Sequence, residues 1–222
     1  MHGLGRQILS GKLRPGQAVP VPAGLNASRT ALREALKVLT AKGLVEARPR
    51  VGTRVRARAH WQLFDTDVIA WQRGGKLGAA FLNELTEVRE ILEPATAALA
   101  ATRATDDDVA EIARAYDDMV AATDADRVKL DAFVDADTRF HAGILRASGN
   151  ELLTQLGQTV FSALVLSFRA TTIRPGAARA SLPRHRAILN AIKRRQPAAA
   201  RRAMLSLMAH TAREVHKIGA AK

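Results

Sequence analysis

The sequence predicts a mainly α-helical protein of 222 residues, with a small β-hairpin near the N-terminus and an all-helical C-terminal bundle. Three observations predict it. Apolar residues recur every three or four positions over most of the chain, as at Phe81, Leu85, Val88 and Leu92, which is the period of an α-helix. Residues 44–56 predict a hairpin, because Gly52 permits a tight tip. Positive charge is concentrated in this same N-terminal part.

The helix before the hairpin is predicted over residues 28–42. Ser28 can cap its first turn, and Arg29 and Arg33 lie one turn apart on one face at its start. Another row has the spacing of a face buried in a small core: Leu32, Leu36 and Leu39. A helix that exposes arginines at its start, followed by a basic hairpin, is suited to lie in the major groove of DNA while the hairpin contacts flanking phosphates.

The flanking segments define the expected domains. Before the predicted DNA-reading helix, residues 17–27 contain two prolines and a glycine, which disfavour helix interiors. We therefore expect any helix there to be short or irregular. Residues 59–75 are predicted to be a linker. The expected domains are a winged helix-turn-helix over residues 1–58, this linker, and an all-helical domain over residues 76–222.

The C-terminal part shows no strand pattern and predicts successive helices. One helix is expected to end at Gly149, and Asn150 is placed to cap the next. The apolar row of that next helix comprises Leu153, Leu156, Val160 and Leu164. Two final helices are predicted over residues 178–195 and 197–217.

Charge is distributed unevenly along the chain. The formal net charge is +13, and residues 1–60 hold 12 of the 34 Lys and Arg but 2 of the 21 Asp and Glu. Such a local basic surplus is typical of a nucleic-acid-binding domain, although a basic face kept for solubility would look the same. There is no Cys and no apolar run long enough to span a membrane. We therefore expect a cytoplasmic protein without a membrane partner.

A second group of chemically capable residues lies near the middle of the chain. Asp137 and His141 are one helical turn apart, so a carboxylate oxygen and an imidazole nitrogen converge on one place. Phe133, Phe140 and Ile144 flank the pair, which predicts that it faces the interior. A buried carboxylate needs a compensating partner. The spacing alone leaves two interpretations open, a hydrogen-bonded structural pair or two metal ligands.

Residues 28–36 and the hairpin behind them resemble the winged helix-turn-helix of GntR-type bacterial transcriptional regulators. With its helical second domain, the chain resembles the FadR branch of that family, which carries an all-helical (FCD-type) effector domain. Residues 61–71 and 87–94 are most similar to regulators that sense sugar acids such as galactonate or gluconate. The resemblance implies a DNA-binding repressor released by a small carboxylate effector, and not an enzyme.

The resemblance also implies which residues contact DNA. Arginine can bind guanine as a bidentate fork, and the hairpin is placed to reach phosphates. The implied contacts are Ser28, Arg29, Thr30, Arg33, Arg50, Gly52, Thr53 and Arg54. The expected partner is a double-stranded operator with two-fold symmetry, which requires a homodimer.

In metal-binding members of the family, histidines from two later helices join the Asp-x-x-x-His pair. His185 matches the first of these histidines. By register the second falls on Leu207, and His210, three residues further on, is a possible displaced ligand. The resemblance therefore implies a divalent metal ion, zinc, held by Asp137, His141 and His185.

Arg89 lies in the register of the apolar face of its helix, with Glu93 one turn further on. We predict that Arg89 binds the effector carboxylate, and an internal ion pair with Glu93 is the alternative. Arg139 and Arg169 are further candidates for effector binding. Three rival functions remain: a regulator that responds to the metal ion itself, a metal-dependent hydrolase, and a binding module whose shortened segment 17–27 has abolished specific DNA binding.

Overall fold

The computed structural model describes residues 2–20, 29–71, 75–124, 128–171 and 175–220. The chain divides into two compact units, Met1–Gly78 and Ala79–Lys222. Over the described ranges the secondary structure is helical apart from one hairpin and an isolated bridge beside it, so the predicted fold class is confirmed. None of the described helices is long and apolar enough to cross a membrane.

The first unit combines short helices with a two-stranded antiparallel sheet. Its elements are α1 (His2–Leu9), α2 (Arg29–Ala41), β1 (Val45–Arg48), β2 (Gly52–Val55) and α3 (Thr66–Trp71), with a 3₁₀ turn at Arg58–His60. In the hairpin Val45 pairs with Val55 and Arg48 pairs with Gly52. The predicted helix and hairpin therefore both form, within one or two residues of their expected bounds.

The segment before α2 adds an edge to this hairpin. Val19 donates its backbone N–H to the Thr53 carbonyl over 2.9 Å, and Val55 donates to the Gln17 carbonyl over 2.9 Å. Ala18 forms an antiparallel bridge with Arg54. Residues 17–19 are therefore extended rather than helical. The remainder of the predicted irregular helix lies at residues 21–28, outside the described ranges.

Residues 61–71, predicted to belong to a linker, instead pack into the core of the first unit. Trp61, Val68 and Trp71 are buried in one cluster with Ile8 and Leu39. Burying two indole rings and an isopropyl group removes several hundred Å² of apolar surface from water, roughly 25 cal/mol for each Å². The polar residues between these three hid that apolar pattern in the sequence.

Asp65 fixes the start of α3. Its Oδ1 accepts hydrogen bonds from the backbone N–H groups of Asp67 and Val68, over 3.0 and 3.1 Å, so Asp65 caps the helix. Its carboxylate also lies 2.7 Å from Lys42 Nζ, just past the end of α2. One side chain thus begins α3 and ties it to α2.

The remaining described residues form six helices: α4 (Gly75–Arg103), α5 (Asp106–Asp124), α6 (Leu130–Ala147), α7 (Glu151–Thr171), α8 (Pro175–Lys193) and α9 (Pro197–Ala220). The N-terminus of α5 is closed by a capping box, in which Thr105 and Asp108 each bind the other's backbone N–H. Asn150 accepts a hydrogen bond from the Leu153 N–H over 3.1 Å. Its predicted role as the cap of α7 is confirmed.

The main apolar core among the described residues of the second unit is built from five helices, α4, α5, α6, α8 and α9. The largest fully buried side chains include Ile112 and Met119 from α5, Phe140 from α6 and Ile188 from α8. The apolar row predicted on α7 is only partly buried. Val160 is inaccessible, whereas Leu156 is 48% exposed.

We expect the two glycines of α1 to differ sharply in their tolerance of alanine. A Cβ added at Gly5 would overlap the indole ring of Trp71, whereas a Cβ at Gly3 would meet nothing within 4 Å. Gly5→Ala should lower the free energy of unfolding of the first unit by about 1–3 kcal/mol because the core is overpacked. Gly3→Ala should raise it by up to about 1 kcal/mol because alanine favours helix.

Tryptophan fluorescence during urea unfolding measures this difference, because Trp61 and Trp71 are the two tryptophans of the chain and both lie in the first unit. Equal stabilities of the Gly3→Ala and Gly5→Ala variants would contradict the packing of α1 on Trp71.

Candidate functional site

A cavity of about 80 Å³ lies within the second unit, between α4, α6, α8 and α9. By the same measure a single water needs about 10–15 Å³, so the cavity has room for a small organic molecule. Its apolar wall includes Phe133, Leu207 and Val215. Its polar wall comprises Arg89, Asp137, His141, Ser181, His185, His210, Thr211 and Glu214.

Three of these side chains converge. Oδ1 of Asp137 lies 3.1 Å from Nε2 of His185 and 3.8 Å from Nε2 of His141, and one ligand atom from each lies within 4.8 Å of the others. Two ligand atoms bound to one tetrahedral zinc ion at about 2.1 Å would lie roughly 3.4 Å apart. The spacing of this trio therefore fits a single divalent cation.

Oxygen atoms behind the two rings indicate where their protons lie. Nδ1 of His185 is 3.0 Å from the Ser181 carbonyl oxygen, which can only accept, so Nδ1 carries the hydrogen. Nδ1 of His141 is 2.6 Å from Oε2 of Glu93, and the same argument holds. In neutral rings both Nε2 atoms then present lone pairs close to the Asp137 carboxylate. Three such acceptors repel one another unless a proton or a metal ion lies among them, so the residues fit a metal site.

Glu93 is the member of this site whose role the sequence did not reveal. It was expected only as a partner of Arg89, yet its carboxylate contacts two groups: Arg89 Nε donates to Oε1, and His141 Nδ1 lies 2.6 Å from Oε2. All three side chains are 2–3% exposed. The i, i+4 spacing signals the first contact, whereas the second depends on how α4 packs against α6.

Both carboxylates of the site are held ionised. Burial by itself would raise the pKa of Glu93, but its interactions with Arg89 and His141 prevail and lower the pKa to about 2. Burial likewise acts to raise the pKa of Asp137, and His141 and His185 lower it to about 2. At neutral pH Asp137 can therefore bind a cation without first releasing a proton.

Arg89 is placed for both of the roles considered as alternatives from the sequence, an ion pair with Glu93 and binding of the effector carboxylate. It is 3% exposed and forms the internal ion pair with Glu93. It also lines the cavity beside the trio. A guanidinium has five N–H donors, so an ion pair through Nε is compatible with a carboxylate bound elsewhere on the group.

His210 and Leu207 lie on the cavity wall contributed by α9. Leu207, at the position where the resemblance placed a fourth ligand, is 1% exposed and offers no ligand atom. His210 is not among the converging ligand atoms found in the described chain. The expectation that His210 could be a displaced metal ligand is therefore not supported by the geometry, because its ring lies apart from the trio.

The two weaker effector candidates have different outcomes. Arg139 points to the surface: its side chain is 56% exposed, pairs with Asp118 on α5 over 2.9 Å, and is absent from the cavity wall. The prediction for Arg139 is corrected accordingly, since its position on α6 turns it away from the face that carries Asp137. The side chain of Arg169 lies outside the described residues.

The candidate DNA-contacting residues of α2 are exposed where they are described. Thr30 and Arg33 both face solvent in the first turns of the helix. α2 begins at Arg29, as the predicted cap requires. The side chain of Arg29 and the whole of Ser28 lie outside the described residues.

The tip of the hairpin is a tight turn. Val51 donates its N–H to the Arg48 carbonyl over 3.2 Å, Pro49 occupies the second position and Arg50 the third, with φ +61°. These are the features of a type II turn, in which the third position favours glycine. A left-handed non-glycine residue costs about 1–2 kcal/mol, and such strain is commonly retained at functional positions. Two residues after Arg50, the chain again takes a positive φ, of +84°, but at Gly52, where glycine adopts it without strain.

Arg54 and Thr53 are less accessible than Arg50. Arg54 donates from Nη1 to the Gly16 carbonyl over 2.6 Å and so helps hold the added edge of the sheet. Thr53 is half-buried and pairs with Ala47 in the hairpin register. Arg54 therefore has a structural function that the sequence did not indicate.

A helix and basic hairpin in one unit, with a ligand-sized cavity that includes polar side chains in a separate helical unit, define a class: DNA-binding transcriptional regulators with an effector domain. Family comparison agrees. Residues 2–55 match the bacterial regulatory proteins of the gntR family, and residues 84–210 match the FCD domain. The chain belongs to the GntR family, in the group that carries an FCD domain. It is a transcriptional regulator, not an enzyme.

Characterised relatives span nearly the whole chain. The galactonate operon transcriptional repressor of Escherichia coli (strain K12) is 34% identical over 97% of this chain and 94% of its own. The Glc operon transcriptional activator of the same strain is 31% identical over 96% of this chain and 86% of its own. The family thus includes both repressors and activators.

Solved structures show the same fold at lower identity. Lar of Listeria monocytogenes is 18% identical with a TM-score of 0.60, over 96% of this chain and 93% of its own. McbR/YncC of E. coli is 20% identical with a TM-score of 0.57, over 97% of this chain and 94% of its own. These similarities support the fold alone.

Proposed function

We propose that this regulator binds a sugar acid, such as galactonate or gluconate, in the cavity of its second unit and changes its operator affinity in response. The acid would bind beside a divalent metal ion, zinc, held by Asp137, His141 and His185. The observation that carries this proposal is the convergence of three acceptor atoms on a cavity that is also lined by the buried Arg89. Similarity to a galactonate operon repressor supports the ligand class.

The residues supply distinct parts of such a site. The trio would hold the ion, and a bound zinc ion with three protein ligands supplies positive charge and open coordination positions for oxygen. The Arg89 guanidinium can bind a carboxylate by charge-assisted hydrogen bonds. Glu93 orients both His141 and Arg89, so the metal ligand and the carboxylate anchor share one support.

The DNA-binding function is assigned to the first unit. We infer that α2 lies in the major groove with Arg29, Thr30 and Arg33 near base edges. Ser28, just before the helix, would contact a phosphate. Arg50 and Gly52 at the wing tip would contact phosphates, with Thr53 and Arg54 behind them. The exposure of Arg33 and the strained, exposed Arg50 support this assignment.

A homodimer is part of the proposal, because a two-fold operator is read by two copies. Exposed apolar residues in the second unit support association: Ile91 on α4 is 79% exposed and Leu152 on α7 is 78% exposed. We propose a repressor released by its ligand. Release requires the acid to bind the DNA-incompetent arrangement more tightly than the competent one.

A second candidate is a regulator for which the metal ion is itself the signal. The same trio favours it, since the site could bind a cation without any organic ligand. Operator binding measured with zinc alone, with the acid alone and with both separates the two candidates.

For DNA recognition, we expect the helix and the wing to contribute differently. Arg33→Ala should cost roughly 1–3 kcal/mol of specific binding and relax base preference, because a base contact is lost. Arg50→Gly should weaken binding to all sequences and lower the salt slope by about 1, because a phosphate contact is lost while the turn strain is relieved. Fluorescence anisotropy on operator and scrambled duplexes over a salt series measures both effects. If the Arg33→Ala variant still distinguished operator from scrambled DNA as well as the wild type does, the placement of α2 in the major groove would be contradicted.

For the metal, we expect about one zinc ion per chain, lost in His141→Ala and His185→Ala. Glu93→Gln should weaken zinc binding by about 10–100-fold, as loss of a partner behind a ligand does. Affinity should also fall as the pH is lowered, because protons compete with the metal ion for the ligand atoms. Competition with a chromophoric chelator measures each affinity.

His60→Ala is the matched control for the metal experiment, because His60 is an exposed histidine of the first unit. Its zinc content should equal that of the wild type. Retention of stoichiometric zinc by His141→Ala would show that Asp137 and His141 are a structural pair.

For the effector, Arg89→Lys should lower sugar-acid affinity by roughly tenfold, because lysine keeps a charge opposite Glu93 but lacks the planar fork that a carboxylate accepts. Operator affinity without acid should stay unchanged. Calorimetry with galactonate and gluconate, paired with operator binding, measures both. Lysine is used because a neutral residue would leave the buried negative charge of Glu93 without its cationic partner. That loss would lower the free energy of unfolding by about 3–5 kcal/mol. If Arg89→Lys bound the sugar acids as tightly as the wild type, the role of Arg89 would be limited to its ion pair with Glu93.

A further inference from the structure

The cavity wall contributed by α9 contains a buried polar atom that the regulator's fold does not satisfy. Nε2 of His210 is inaccessible to solvent and has no hydrogen-bond partner among the described residues. The two hydroxyl groups on the wall do have partners: Thr211 Oγ1 donates to the Leu207 carbonyl, and Ser181 Oγ donates to the Ala178 carbonyl. A buried polar atom left without a partner is costly, so it calls for an explanation.

The protonation of His210 defines what that partner must be. Burial lowers the pKa of His210, and the charges of Arg184 and Arg213 act in the same direction, against Glu214 and a hydrogen bond to the Ala177 carbonyl. The lowered pKa favours the neutral ring. We assign the ring hydrogen to Nδ1, because Nε2 has no partner and the interaction with the Ala177 carbonyl is left to the other ring nitrogen. Nε2 is then a bare lone pair, which can be satisfied by a donor and not by a carboxylate.

Glu214 adds a second acceptor to the same wall. It lies one turn after His210 on α9 and lines the cavity with it. An ionised carboxylate also accepts only. A ligand group that reaches this wall therefore meets an imidazole lone pair and a carboxylate. Hydroxyl groups suit both, whereas a second carboxylate meets like charge and lone pairs.

We propose that His210 and Glu214 select the effector by its hydroxyl end, accepting hydrogen bonds from an acid with one carboxylate and a hydroxylated chain and disfavouring diacids. The selection rests on the proposed function, in which the ligand carboxylate lies beside Arg89 and the trio. The effector class narrows to aldonic acids, and aldaric acids are rejected. Specificity then resides on α9, apart from the groups that bind the common carboxylate.

Three acids distinguish binding of the carboxylate end of the ligand from binding of its hydroxyl end. Galactonate has one carboxylate and a terminal hydroxyl, galactarate has a carboxylate at each end, and glycolate has only the carboxylate and α-hydroxyl. Calorimetry with the zinc-loaded full chain at pH 7 measures the three affinities. The variants are Glu214→Gln and His210→Phe. Arg202→Gln, an exposed change on the same helix, is the control.

We expect the wild type to bind galactonate roughly tenfold or more tightly than galactarate. Glu214→Gln should raise galactarate affinity by roughly tenfold, since an amide can donate to the second carboxylate. His210→Phe should lower galactonate affinity by roughly tenfold because the acceptor is lost. Glycolate affinity should stay unchanged in both variants, and the control should match the wild type for all three acids.

Two outcomes would overturn the inference: a wild type that binds galactarate as tightly as galactonate, or variants that change the three affinities in proportion, as a purely structural role would. The Glu214→Gln test is decisive even if His210→Phe does not fold, because glutamine has the shape of glutamate. A wild type that binds none of the three acids would instead overturn the proposed function.

Discussion

The carboxylate of Glu93 joins Arg89 and His141 in the interior of the second unit, with all three side chains almost inaccessible to water. A buried charge is tolerated only when it is paired, and this one is paired twice. The pairing places Nδ1 of His141 2.6 Å from a carboxylate oxygen and holds Arg89 at the cavity wall. The positions of both Arg89 and His141 therefore depend on one residue of α4.

The cavity places groups of unlike chemistry on its different walls. α6 and α8 supply the converging lone pairs of Asp137, His141 and His185, which suit a cation. α4 supplies the cationic Arg89, and α9 supplies the acceptors His210 and Glu214. A ligand that satisfied all of them would need both negative charge and hydroxyl donors. Such complementary placement explains why polar side chains are stable in a wall that Phe133, Leu207 and Val215 make largely apolar.

Prediction from sequence succeeded where the signal was local. The hairpin follows from Gly52 and its neighbours, and the start of α7 follows from Asn150, because turns and caps depend on a few adjacent residues. It failed over residues 61–71, where three polar residues precede Val68 and the burying partners come from α1 and α2. It failed for Arg139 because a single helical position decides between cavity and surface, and that orientation depends on the packing of α6 against α5.

The sequence by itself determined the family, the two-part organisation, the basic character of the first unit and the pairing of Asp137 with His141 one turn apart. Each depends on composition or on spacing within one element, which the helical period converts directly into geometry. Only the tertiary structure decided that His185 reaches that pair, that Glu93 supports His141, and that His210 faces the cavity without joining the trio. These relations join α4, α6, α8 and α9, and contacts between helices arise from packing of whole faces, which no local pattern specifies.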